Sequence, residues 1–191
     1  MRPAVLVTFA ALLAGAVPTA AAPTKVCTVL SDPAGDVVLT GGVGTPDTHI
    51  DLRAVLVQTS RSGLTFRIRD TALTDGRLGE WLLTFNARGA RLFVGAGREI
   101  WVNADDYHGT FGFTAGIQGG RTKQVTDTFD YGASVIRVEV PYTAFGASAP
   151  RRGDTLHAVA LDSRETFVNG GPAPISVADH ASARSSRLTG C

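Results

Sequence analysis

The stretch LTFRIRD, Leu64 to Asp70, alternates apolar and polar residues along most of its length. Because the side chains of a strand alternate between two faces, Leu64, Phe66 and Ile68 share one face and the residues between them share the other. A strand with one buried and one solvated face is typical of antiparallel sheets. The stretch therefore predicts a β protein with a core on one side of this strand.

The same alternation extends outward from this strand in both directions, in segments separated by turn residues every 8 to 12 positions. No long segment has a helical period. Residues 142–145 predict one helical turn that ends at Gly146, so the pattern indicates an all-β sandwich or barrel with at most one or two short helical turns. Six further segments are predicted as strands: 50–59, 80–86, 90–94, 99–104, 135–140 and 155–162.

The first residues, MRPAVLVTFAALLAGAVPTAA, combine Arg2, an apolar run of about 14 residues and a small-residue end. This order predicts a secretory signal peptide over residues 1–21, with cleavage after Ala21 preferred to cleavage after Ala22. The run is shorter than the roughly 20 residues that span a bilayer, and no later stretch is longer, so no membrane insertion is expected. Residues 22–191 are then one secreted, extracellular domain.

Charge is balanced in this chain, with 18 Lys and Arg against 17 Asp and Glu. Arg2 belongs to the predicted signal peptide, so the remainder carries 17 of each. Nucleic acids and anionic membranes both select strongly basic surfaces. The balance therefore argues against either as a partner.

Cys27 and Cys191 are the only cysteines, and they lie at opposite ends of the predicted mature chain. In an oxidising compartment such a pair predicts a disulfide. The bond requires Cα atoms within about 7 Å, so the two ends of the domain must lie side by side.

Several short motifs, in this order along the chain, resemble the DOMON domains of secreted bacterial proteins, which are similar to the family 9 carbohydrate-binding modules. The motifs are DPAGD, HIDLRAVLVQTSRSGLTFRIRD, EWLLTFNARGARLFV, VIRVEVPYTAFG and DHA. The resemblance implies a two-sheet antiparallel jelly-roll-like β-sandwich. Members of this group bind sugars or haem, or carry structural calcium.

The same resemblance implies a metal site at four aspartates: Asp32, Asp36, Asp51 and Asp179. Calcium takes six to eight oxygen ligands, so these carboxylates would have to converge. A metal-free alternative also accounts for Asp32, because Asp-Pro-Ala-Gly fits a type I turn. Pairing of the two chain ends in the register of the disulfide would place Asp36 opposite Ser182, three residues from Asp179.

Trp101, Tyr107 and His108 are the candidate ligand-binding residues, because exposed aromatic rings stack on the apolar faces of sugars. Trp101 lies on the strand face opposite Ile100 and Val102. A polysaccharide or an extracellular protein is the expected partner.

Other chemistries find less support in the residues. The only methionine is Met1, in the predicted signal peptide, and the four histidines stand singly, so no haem is expected. The chain has neither a G-x-S-x-G elbow nor an H-E-x-x-H helix. The sequence thus favours a non-catalytic binding or interaction module, with a calcium-stabilised structural or protein-interaction domain and a secreted hydrolase as alternatives.

Overall fold

The computed structural model describes residues 25–40, 51–73, 79–96, 100–103, 106–109, 112–167 and 175–191. The predicted signal peptide, residues 1–21, lies outside these ranges. The described residues contain one short α-helix, α1 (Tyr142–Phe145), followed by a single 3-10 turn (Gly146–Ser148). They also contain thirteen strands: β1 (Cys27–Ser31), β2 (Val38–Thr40), β3 (Leu52–Thr59), β4 (Gly63–Asp70), β5 (Gly79–Ala87), β6 (Ala90–Ala96), β7 (Ile100–Asn103), β8 (Asp106–Gly109), β9 (Phe113–Ile117), β10 (Thr122–Asp130), β11 (Val135–Pro141), β12 (Thr155–Phe167) and β13 (Ile175–Arg187).

Eleven of the strands form one antiparallel ladder in the order β1-β3-β4-β11-β10-β9-β6-β5-β12-β13-β2, and β7 pairs with β8 separately. Strand β10 divides its pairing, because residues 122–125 pair with β9 and residues 126–130 pair with β11. The ladder therefore has two halves that meet at β10. The predicted all-β antiparallel fold is confirmed.

The two halves pack face to face across the core. Phe66 of β4 and Phe85 of β5 come from different halves, and their ring centroids lie 5.9 Å apart. Phe145, in the predicted helical turn, packs edge-on against Phe85 at the same distance. All three side chains are fully buried. Each such burial contributes about 1.5–3 kcal/mol, so these contacts are a substantial part of what holds the halves together.

Strand β4 shows why the alternating pattern determines the fold. Its apolar residues are buried, and they pack beside Ile136 and Val138 of β11. The strand begins at Gly63, where a Cβ atom would lie 2.3 Å from the carbonyl oxygen of Val140. Only glycine allows this close approach of the two strands.

The predicted pairing of the cysteines is confirmed. The sulfur atoms of Cys27 and Cys191 lie at bonding distance, and the Cα atoms are 5.5 Å apart. The backbone amide of Thr59 donates to the carbonyl of Cys191 at 3.3 Å, and the Thr59 hydroxyl donates to the same oxygen. The chain ends are therefore tied to each other and to β3, and the ladder almost closes on itself.

Candidate functional site

The four predicted metal ligands lie near the place where the two ends of the ladder approach each other, here called the terminal seam. Asp32 and Asp36 belong to the turn between β1 and β2. Asp51 directly precedes β3, and Asp179 lies on β13, where Ala178 pairs with Val38. Three separate parts of the chain thus supply the carboxylates.

Three of these residues form an acidic cluster: Asp32, Asp36 and Asp179 each place a carboxylate oxygen within 4.8 Å of the others. Calcium binds oxygen at about 2.3–2.6 Å, so two ligands on opposite sides of one ion lie at most about 5 Å apart. The cluster therefore has the dimensions of a shared cation site.

The register of the strands explains why Asp179 reaches Asp36. Strand β1 pairs with β3, and the end-to-end pairing is made instead by β2 and β13. Continuing the pairing of Val38 with Ala178 places Asp36 opposite His180, one residue from Asp179. The register that the disulfide suggested, with Asp36 opposite Ser182, is two residues away from the observed one.

Asp179 is buried and fixed by two backbone amides. Its Oδ2 atom accepts a hydrogen bond from the Leu52 amide at 2.7 Å, and its Oδ1 atom accepts one from the His180 amide at 2.7 Å. Such bonds favour the ionised carboxylate. They hold it in place at the seam and leave lone pairs for another partner.

Asp51 contacts the turn instead of joining the acidic cluster. Its Oδ1 atom accepts the Gly35 amide at 3.1 Å, and its Oδ2 atom accepts the Thr71 hydroxyl at 2.8 Å. Gly35 has a φ of 83°, which glycine adopts without strain. Asp51 therefore positions the segment that carries Asp32 and Asp36.

Asp32 carries a buried oxygen with no partner. Its Oδ2 atom is inaccessible to solvent and has no hydrogen bond, the only such side-chain atom in the part of the chain that the structure describes. Burying an unpaired carboxylate oxygen is costly. A turn formed by Asp32 alone does not explain this oxygen, whereas a bound cation would satisfy it.

The carboxylates of Asp32 and Asp179 are also repelled by the negative charges of their acidic neighbours. Burial, and then the charges of Asp179, Asp36 and Asp51, raise the pKa of Asp32 to about 6, while Arg53 acts in the opposite direction. The pKa of Asp179 is also raised, first by burial and then by Asp36 and Asp51, although backbone amides oppose the shift. The site thus concentrates negative charge, which Arg53 opposes at Asp32.

A fifth carboxylate, Asp70, lies beside the seam and is buried. It accepts hydrogen bonds from the Thr71 amide at 2.9 Å and from the Trp81 indole at 3.4 Å. Burial is the main cause that raises its pKa to about 8, with smaller contributions from Asp51 and Asp179. With this pKa Asp70 is largely protonated at neutral pH, and it adds negative charge to the seam only as the pH rises through about 8.

The sequence contains a signal for Asp70, which is not among the four predicted metal ligands. Asp70 has the same parity as Leu64, Phe66 and Ile68, so the alternation of β4 places it on the buried face. A carboxylate in a core-facing position of a strand is unusual enough to mark a site.

The second predicted site falls on β7 and β8. In this hairpin Trp101 pairs with His108, and Val102 pairs with Tyr107. The side chains of the three predicted ligand-binding residues lie outside what the structure describes. Sugar binding at Trp101, Tyr107 and His108 stays a prediction.

A different concavity of about 520 Å³, here called the outer groove, lies on the outer surface of β5, β12, β13 and β2. Leu82 and Val38 line it, 43% and 61% exposed, and they are the exposed large hydrophobic residues of the described chain. Asp162 lies between Leu82 and His180 in register, and its carboxylate is 2.7 Å from the His180 ring. Arg164 is likewise opposite Glu80. The groove therefore places aliphatic surface next to paired polar groups, in the size range of ligand sites.

Within the described ranges, no helix is long and apolar enough to cross a membrane. Comparison of the chain with protein-family models, with curated proteins and with solved structures finds no match in any of the three.

Proposed function

We propose that this protein is a secreted, non-catalytic binding domain whose terminal seam is held by calcium. The observation that carries the proposal is the acidic cluster, in which three carboxylates from two ends of the chain lie within 4.8 Å of one another and one of them, Asp32, has a buried Oδ2 atom without a hydrogen bond. The predicted signal peptide and the disulfide support an extracellular setting, where calcium is abundant enough for weak sites to be filled.

The residues present fit calcium in donor type and spacing. All side-chain donors are carboxylate oxygens, the class that calcium prefers, and no histidine or thiol belongs to the cluster. Asp32, Asp36 and Asp179 would hold the ion, and Asp51 and Leu52 keep two parts of the seam in place. Bound calcium would supply the positive charge that neutralises the repulsion.

Calorimetric titration of chelator-treated protein with calcium tests the proposal. We expect one binding event per chain, a higher melting temperature with calcium than with EDTA, and loss of both effects in Asp36→Asn. Asp162→Asn removes another exposed charge, outside the cluster, and should keep both effects. A melting temperature that is identical in calcium and in EDTA would contradict the proposal.

Carbohydrate binding is the second candidate function, and the outer groove favours it. Sugar rings present C–H faces that match Leu82 and Val38, and hydroxyl groups both donate and accept hydrogen bonds. The Asp162 and His180 pair offers an acceptor beside a ring nitrogen. Arg164 and Glu80, directly opposite each other on neighbouring strands, add a donor group and an acceptor group. The mixture of charges suits a neutral ligand.

Gel retardation on neutral polysaccharides, such as soluble xylan and hydroxyethyl cellulose, tests this candidate with Leu82→Ala and Trp101→Ala. Loss of retardation in Leu82→Ala alone supports the outer groove. Loss in Trp101→Ala alone supports the hairpin and excludes the groove. Wild-type protein that migrates freely on every polymer excludes sugar binding at both the outer groove and the hairpin. The calcium titration tests the terminal seam independently of these results.

A further inference from the structure

A row of arginines crosses the outer surface of the half of the ladder that contains β4 and β11. Arg67 of β4 lies directly opposite Arg137 of β11, and Arg69 follows two residues along β4 on the same face. Residues on one face of a strand are about 7 Å apart, and neighbouring strands are about 4.8 Å apart. Three guanidinium groups therefore emerge from a small area, here called the arginine strip.

Two members of the strip have no counterion among the residues that the structure describes. Arg137 pairs with Glu139 at 2.6 Å, whereas Arg67 and Arg69 make no ion pair within the described part of the chain. Like charges directly opposite each other across two strands are destabilising. The strip is therefore a local excess of positive charge in a chain whose total charge is nearly balanced.

The strip borders a polar hollow. Arg137 lines a concavity of about 170 Å³ together with Thr126, Asp127, Thr128 and Glu139. A second hollow of about 280 Å³ adjoins it and adds Thr65 and the Ser60–Ser62 turn. Threonine and serine hydroxyls are suited to hydrogen bonds with other hydroxyls. The surface thus offers hydroxyl partners next to guanidinium groups, which bind carboxylates through paired N–H donors.

The character of this face selects among anionic partners. A protein interface needs an apolar centre, yet the exposed large hydrophobic residues of the described chain, Val38 and Leu82, belong to the other half. Nucleic-acid sites often make about 6–10 phosphate contacts, and polybasic membrane anchors use about four to eight cationic residues. Three arginines are too few for either role. They suffice for the widely spaced carboxylates of an acidic polysaccharide.

We propose that the arginine strip and the adjoining hollow bind the uronate carboxylates and hydroxyls of an acidic extracellular polysaccharide. The proposal goes beyond the calcium site and the outer groove, and it depends on neither. Arg67 and Arg69 supply the unpaired donors for a carboxylate. The hollow beside Arg137 takes the neighbouring hydroxyl groups.

Affinity electrophoresis of the calcium-loaded protein with hyaluronate tests the proposal, with dextran as the neutral polymer. We expect retardation by hyaluronate that falls as NaCl rises, and at least about a tenfold weaker apparent affinity in the double variant Arg67→Gln/Arg69→Gln. Arg121→Gln/Arg152→Gln removes the same charge from exposed positions elsewhere and should bind as the wild type does. Arg67→Lys keeps the charge without the fork of donors and should be intermediate.

Each alternative result has a defined meaning. Absence of retardation by hyaluronate, or equal weakening in both double variants, would overturn the proposal. Tighter binding to a 20-base-pair DNA duplex or to phosphatidylserine vesicles than to hyaluronate would overturn the polysaccharide assignment. Melting temperatures of the variants are compared first, and Arg137→Gln provides a second variant of the strip if the double variant does not fold.

Discussion

The carboxylate of Asp179 accepts a hydrogen bond from the amide of Leu52 at 2.7 Å, across 127 residues of chain. This bond connects β13 to the start of β3 on the buried side of the terminal seam. Asp36, the other end of the acidic cluster, is exposed. The two residues should therefore respond differently to the same substitution.

We expect Asp179→Asn to destabilise the protein by about 1–3 kcal/mol even in EDTA, because an Asn amide group would face one of two backbone donors and leave it unpaired. Asp36→Asn should leave the stability in EDTA unchanged or slightly higher, since it removes a repulsive charge from Asp32 and Asp179. Urea unfolding of both variants measures this difference. Equal losses of stability in EDTA would contradict the assigned roles.

Stability without calcium should fall as pH rises from about 4 to 8. Asp70, with a folded pKa of about 8, and Asp32, with a folded pKa of about 6, bind protons more tightly in the folded than in the unfolded state. The folded protein therefore holds more protons in this range, and deprotonation destabilises it. Urea unfolding in EDTA at pH 5, 6, 7 and 8 measures the trend.

Asp70→Asn should flatten the upper part of that pH profile, because the amide does not ionise. It keeps an acceptor for the Thr71 amide and loses the longer bond from Trp81. A pH profile in Asp70→Asn that is as steep as in the wild type between pH 7 and 8 would show that another group titrates there.

Replacing both cysteines should cost much of the stability. The bond joins residues 164 apart, and the chain-entropy model gives a loop of this length about 5 kcal/mol. We expect Cys27→Ser/Cys191→Ser to lose 2–5 kcal/mol of unfolding free energy, within the range typical of native disulfides. Wild-type protein unfolded in a reducing buffer is the matched comparison and should reach the same stability.

Gly63→Ala should destabilise the start of β4. Its new methyl group would overlap the Val140 carbonyl, and the two paired strands would have to separate. The loss should be in the range of overpacked sites, about 1–3 kcal/mol. Gly132→Ala is the control, because its methyl group would meet no atom closer than 3.6 Å. Thermal or urea unfolding that ranks the two variants equally would contradict this account.

Much of the fold could be predicted from alternation alone, because a two-residue period directly reports which face of a strand is buried. The predicted strand 64–70 agrees with β4 to within one residue, and the helical turn at Tyr142 is present. The order of the strands in the sheet could not be predicted in this way. Pairing of β4 with β11, or of β2 with β13, depends on contacts between distant segments that no local pattern encodes.

Of the candidate sites, the acidic cluster could be predicted in part from the sequence, whereas the two surface sites could not. Motifs carried by the chain pointed to Asp32, Asp36 and Asp179, and the strand register brings those three together. The outer groove and the arginine strip arise from side chains on neighbouring strands, so they become visible only when the strands are paired. Arg67 and Arg137 are 70 positions apart in sequence and directly opposite in the sheet.

The covalent link between Cys27 and Cys191 also has a mechanical meaning. A pull applied between these two residues passes through a single covalent bridge 5.5 Å long between Cα atoms, and the strands between them carry none of the load. While the disulfide is intact, the domain would therefore not extend between Cys27 and Cys191. Only after the disulfide is reduced would the pulling force act on the hydrogen bonds between the strands of the domain.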